Sequence, residues 1–217
     1  MKSRLILLML SMALLSSCIV KSLQPFYIKK SLAFNDQLLG SWTDNKNGAW
    51  QVVAFVDAFN EERDMDKPLS EDDKKALENY KEGYLVNYIK KEKEAGFIAM
   101  PFKIEDEYYI DFTPIQFEEE DINDLAVQHL IKTHTVAKVE FNKDRIQLSW
   151  LSEEPINKLY ETERMRLKYE KVGFDETLLL TATSNELYEF LRKYRKAEVE
   201  DKWTKDQLTL QRTDAKP

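Results

Sequence analysis

Two histidines, His129 and His134, and one cysteine, Cys18, are all that a chain of 217 residues offers to nitrogen and sulfur chemistry. Nucleophilic catalysis needs a Ser or Cys beside a base that a third group orients. No G-x-S-x-G elbow accompanies the histidines, so His134, at the head of a strand, reads as a surface or hydrogen-bonded residue. His129 and His134, with Glu118, Glu119, Glu120 and Asp121, carry metal-ligand atoms, but their spacing across a helix-to-strand change fits no metal motif. The acidic run lacks the alternating ligands and the glycine of a calcium loop and reads as a solvated face. With 39 acidic residues, some carboxylate pair is always at hand for glycoside chemistry, so none stands out. Only five glycines are present, and neither phosphate-binding glycine motif occurs. The chain therefore offers no catalytic residue, no metal site and no cofactor motif, and it leans away from an enzyme.

The aromatics say more. There are 11 Phe, 10 Tyr and 4 Trp, and Trp42, Trp50, Tyr88, Phe102, Phe112 and Trp150 all fall on expected strands. Aromatics on the concave side of a curved sheet form an apolar pocket with polar handles. The simpler reading is that they fill the core, where bulky residues belong. Those six are the candidate ligand-binding residues, and an apolar small molecule is the candidate ligand.

The elements that must position them are short. Residues 38–43 and 49–55 read as two strands around the turn 45–48, with Gly48 as the residue able to take positive φ. Residues 57–68 read as loop, and 70–82 as a helix opened by Ser70 and Asp73 and closed by Gly83. Strands follow over 84–90, 97–104 and 108–113, with Pro101 demoting the second to an edge, a bulge or two short pieces. A helix is expected within 118–130, then strands over 134–141 and 145–151. In the latter, Ile146, Leu148 and Trp150 share one face, which suits an antiparallel sheet with one wet side. Pro155 sits in the first turn of a helix near Ser152, whose inner face is Ile156, Leu159 and Tyr160. Thr183-Ser184-Asn185-Glu186 is a capping box ahead of Leu187, Phe190, Leu191 and Tyr194 at helical spacing. Residues 177–181 and 207–212 are the last strands. The class is β-rich α+β, an antiparallel meander or barrel with two or three attached helices.

The N-terminus gives an address. Lys2 and Arg4 precede an apolar run from Leu5 to Leu15, too short to span a bilayer, which needs about 20 residues. This is the pattern of a signal peptide; a membrane anchor with an incidental cysteine is the alternative. Leu15-Ser16-Ser17-Cys18 resembles the lipobox of bacterial lipoproteins. The resemblance implies cleavage after residue 17, acylation of Cys18, and attachment of the mature chain to a membrane. By analogy with envelope sorting, Ile19 after the cysteine implies the outer membrane, facing the periplasm. Residues 18–24 read as an acylated tether and 25–217 as one domain. With Cys18 acylated no thiol remains for a disulfide. The net charge of −7 becomes more negative once Lys2 and Arg4 are removed, which excludes a general nucleic-acid binder.

Gly40-Ser41-Trp42 on the first strand resembles the Gly-x-Trp motif of lipocalins. That resemblance implies an eight-stranded barrel, with the Trp at its closed end and an Arg of the last strand, here Arg212, packed over it. Helices between later strands depart from the family pattern. The chain also resembles uncharacterised envelope lipoproteins that share Gln24-Pro25-Phe26-Tyr27, the Gly-x-Trp strand and Asp111-Phe112-Thr113-Pro114; this brings no function with it. The two functions the sequence supports are binding of an apolar small molecule, or docking on another envelope protein, for which the motive is the amphipathic helix 184–195 and the acidic surface.

Overall fold

Period-two alternation of apolar side chains turns the strands into a sheet with one face to bury, and closing that sheet on itself buries the face. A computed structural model describes residues 19–64, 66–117 and 130–213. In chain order these form β1 (Lys21–Ser22), β2 (Gly40–Asp44), β3 (Ala49–Ala54), α1 (Phe55–Glu62), α2 (Glu71–Tyr80), β4 (Tyr84–Lys90) and β5 (Lys93–Ile104). There follow β6 (Glu107–Phe117), β7 (Thr135–Asn142), β8 (Arg145–Trp150), α3 (Glu153–Glu161), β9 (Tyr169–Val172), β10 (Thr177–Leu180), α4 (Ser184–Tyr194) and β11 (Gln207–Arg212). Strands β2 to β8 run as an antiparallel meander, and β11 pairs with both β8 and β2 to complete a closed eight-stranded barrel. The expected β-rich, lipocalin-like barrel is therefore present, with four helices among the described residues rather than two or three.

Two cores result. Inside the barrel lie Leu38, Trp42, Trp50, Val52, Val86, Ile110, Phe112, Ile146, Leu148, Trp150 and their neighbours. Outside it, α3, α4 and the small sheet β1-β10-β9 pack over Phe102, Ile104, Tyr109 and Val136. The apolar stripe of α4 is spent there: Leu187, Leu191 and Tyr194 are buried, each large apolar side chain contributing about 1.5–3 kcal/mol.

The closed end explains the Gly-x-Trp strand residue by residue. The guanidinium carbon of Arg212 stands 4.1 Å from the centroid of the Trp42 ring. Its Nη1 and Nη2 donate to the carbonyls of Leu39 and Gln37, at 3.0 and 3.1 Å, tying down the 3-10 turn Asp36–Leu38. Trp42 Nε1 donates to Leu38 O at 3.0 Å. Gly40 has a φ of +117°, and a Cβ there would lie 2.6 Å from Arg212 Nη1. Glycine is required by both backbone and neighbour.

Several expectations are corrected. Residues 57–62 are not loop but most of helix α1, which continues directly from β3 with Ala54 as an N-cap that makes no side-chain bond. In the β2–β3 turn the positive φ belongs to Asn47, not Gly48. Gly48 is needed for space, since a Cβ would lie 2.4 Å from the Tyr88 ring. Gly83 likewise has no positive φ; a Cβ there would strike Met100 Sδ at 2.4 Å. Residues 19–24 are not a free tether: Val20 N donates to Leu151 O, and Ser22 exchanges two backbone bonds with His134. Val20 is fully buried, so this stretch is built into the fold because its apolar residues have a core to enter. Pro101 is tolerated mid-strand because β4 ends its pairing at Ala99. Its carbonyl accepts from Ala33 N, so its nitrogen also points away from β6 and no ladder bond is lost.

Candidate functional site

The strand register sorts the loops to two ends of the barrel. Arg212, the β5–β6 turn and the β7–β8 turn lie at the closed end. The β2–β3 and β4–β5 turns, Trp150 and Thr135 lie at the other. There the barrel opens into a recess of about 370 Å³, within the size range of small-ligand pockets. Its floor is aromatic: Trp50, Tyr88, Phe97, Phe112 and Trp150. Ring centroids are 4.7 Å apart for Trp50–Tyr88, 6.3 Å for Trp50–Phe112 and 5.8 Å for Phe112–Trp150, a continuous run of contacts. Lys46, Lys90 and Asp206 lie at the rim.

A buried carboxylate orders this floor. Asp44 Oδ2 accepts from Trp50 Nε1 at 2.9 Å, while Oδ1 accepts from the amides of Lys46 and Gly48, each at 2.8 Å. Burial pushes its pKa up, but the bonds from Trp50, Gly48 and Lys46, with the charge of Lys90, outweigh this and hold it below the usual range. Burial first, and then the Asp44 charge, raises the Tyr88 phenol. The hydroxyl therefore stays protonated and able to donate.

Four of the six candidate residues, Trp50, Tyr88, Phe112 and Trp150, line the recess. Trp42 does not, being at the closed end under Arg212. Phe102 points to the other side of the sheet and stacks on Tyr109 in the outer core, ring centroids 5.5 Å apart. Strand parity separates it: Phe97 and Phe102 are an odd number of positions apart, so even without the bulge at Gly96/Phe97 they would face opposite ways. Phe97 was the residue the parity signal would have found.

His134 is hydrogen-bonded, as its place at the head of β7 suggested. Its Nδ1 lies 2.7 Å from Oδ1 of the fully buried Asp111. Oδ2 of the same carboxylate accepts from Phe26 N at 2.8 Å, and the Thr113 hydroxyl is also within reach of the pair. The Asp111-Phe112-Thr113-Pro114 and Gln24-Pro25-Phe26-Tyr27 segments thus meet at one carboxylate, which latches the entering chain to the barrel. Among the described residues, no group of three or more His, Cys, Asp or Glu could hold a metal ion. Cys18, His129 and the acidic residues Glu118, Glu119, Glu120 and Asp121 lie outside the described residues, as does all but the last residue of the helix expected within 118–130. No helix among the described residues is long and apolar enough to cross a membrane.

No family model matches the chain, and no curated protein or solved structure matches it either.

Proposed function

We propose that the chain is a lipid-anchored protein of the cell envelope that binds an apolar small molecule, without catalysis, in the mouth of its barrel. The observation that carries the binding is the recess itself, five aromatic side chains around about 370 Å³ at one end of an otherwise filled barrel. Its aromatic floor favours an apolar body, and Tyr88 and the rim lysines supply polar partners for a head group. The anchor rests on the basic start, the short apolar run and Leu15-Ser16-Ser17-Cys18, which together resemble a lipobox. The outer membrane, facing the periplasm, is the address that Ile19 suggests. Docking on another envelope protein keeps only the acidic surface as its motive, because the apolar stripe of α4 is already packed against the protein's own core.

The test uses a chain beginning at Ile19, which retains every contact described above. It is purified from bacterial cells under mild conditions and weighed by native mass spectrometry. The expected result is a reproducible extra mass that disappears on denaturation and on filling the recess by Thr135→Trp. A chain that carries no such mass, and that also fails to bind a fluorescent fatty acid, would sink the binding reading.

A further inference from the structure

Where the chain enters the fold sets how the barrel faces its membrane. Ile19 lines the recess and bridges Ser152, so the residue after Cys18 is already part of the mouth. No stalk separates the two: one peptide unit, about 3.8 Å between Cα atoms, joins Cys18 to a fixed residue.

The exposed apolar side chains gather at this same end. Ile131, 72% exposed, and Leu130 lie just ahead of Thr135, which lines the recess. Ile89 is next to the β4–β5 turn. In the small sheet, β1 and β10 run parallel, with Lys21 opposite Leu179. The β9–β10 hairpin tip, which precedes β10, therefore lies on the side from which Ile19 enters. That tip carries Phe174, fully exposed, and the half-exposed Val172. Lys46, Lys91 and Lys132 are exposed at the same end. Exposed acids stand there too, Glu92 beside Lys91 and Asp175 and Glu176 beside Phe174, so it is the single projecting apolar side chains, together with the anchor, that suit this end to a bilayer interface.

We infer that the mouth end of the barrel is the face that seats on the bilayer, with Ile131 and Phe174 entering the head-group region and the recess opening towards the lipid. This rests on acylation of Cys18, as proposed above. The occupant is a lipid surface rather than a protein because the chain's own attachment point lies at the rim. A ligand would then pass between bilayer and barrel without crossing bulk water, which points to lipids of that membrane, or molecules dissolved in it, as the ligand class.

Site-directed spin labelling of the full, acylated chain tests this. Phe174→Cys, Ile131→Cys and, at the closed end, Asp144→Cys each carry one nitroxide, since an acylated Cys18 is not available to the label. The proteins are reconstituted into vesicles of phosphatidylethanolamine and phosphatidylglycerol. Collision with oxygen and with a water-soluble nickel chelate is then compared. Labels at 131 and 174 should gain oxygen access and lose nickel access on reconstitution, while the label at 144 stays aqueous. Vesicle-bound protein with all three labels equally aqueous would overturn the orientation and leave the anchor standing. Protein that does not float with the vesicles would overturn both. Neither outcome touches the pocket reading, which the native mass measures separately.

Discussion

Asp111 is the residue on which three separate parts of the chain converge. Its carboxylate takes Phe26 N on one oxygen and His134 on the other while being wholly buried. Burial raises its pKa, and His134, the Phe26 amide and Thr113 offset this only in part. A carboxyl that titrates higher folded than unfolded binds more protons in the native state over that interval. The sign follows: its contribution to stability grows as pH falls through the folded pKa towards the unfolded value of about 3.9, and is lost as pH rises. Asp111→Asn keeps an acceptor for Phe26 but does not titrate. Urea unfolding of the two proteins at steps from neutral to mildly acid pH should show the wild type gaining on the variant as pH falls. A slope of the opposite sign would mean that the charged pair holds the carboxyl down and that the latch is an ion pair at neutral pH.

At the scale of elements, the β4–β5 hairpin shows what a sequence hides. Lys91 and Glu92 both have positive φ, at 51° and 64°, as a two-residue type I′ turn demands. Such turns favour Asn-Gly, and the chain has a charged pair with no turn signature. That is why the expected strand began at residue 97, when β5 begins at Lys93. Glycine reaches this backbone without strain, so Glu92→Gly should stabilise the protein by about 1 kcal/mol, read as a higher urea midpoint at unchanged slope. Loss of stability would show that the Glu92 side chain makes an interaction worth more than the strain. Helix α1 was hidden for a related reason, since Ala54 caps it with no side-chain bond and Phe55 continues the apolar run of β3. By contrast, α2 and α4 were legible because Ser70–Asp73 and Thr183–Glu186 are reciprocal capping boxes, both formed. The recess was partly legible: aromatics on strands were visible, but which side of each strand faces inwards depends on register. One wrong parity is enough to exchange Phe97 for Phe102. Nothing in a linear sequence brings Asp111 to Phe26, which are joined only when the barrel wall and the entering strand meet.

For the molecule as a whole, the question is whether the mouth is a binding site or merely the unfilled end of a core. Deleting an aromatic cannot decide it, since Trp150→Ala removes about 3–5 kcal/mol of packing along with any ligand contact. Filling the recess can. Thr135 lines it from β7 and is only half-buried, so a larger side chain there projects into existing space. Thr135→Trp should leave the thermal midpoint within a few degrees of the wild type, yet weaken a fluorescent fatty acid at least about tenfold, a change of roughly 1.4 kcal/mol. Titration of the chain beginning at Ile19 reads both, with the melt as its control. Unchanged affinity at an unchanged midpoint would place the ligand elsewhere. The next place to look would then be the wider groove of about 700 Å³ between α2 and the barrel wall, which the half-buried His134 and Tyr27 help to line. Weakened binding with a preserved fold would locate the apolar ligand among Trp50, Phe97, Phe112 and Trp150. The barrel would then be a container whose opening, at Ile19, lies one residue from Cys18.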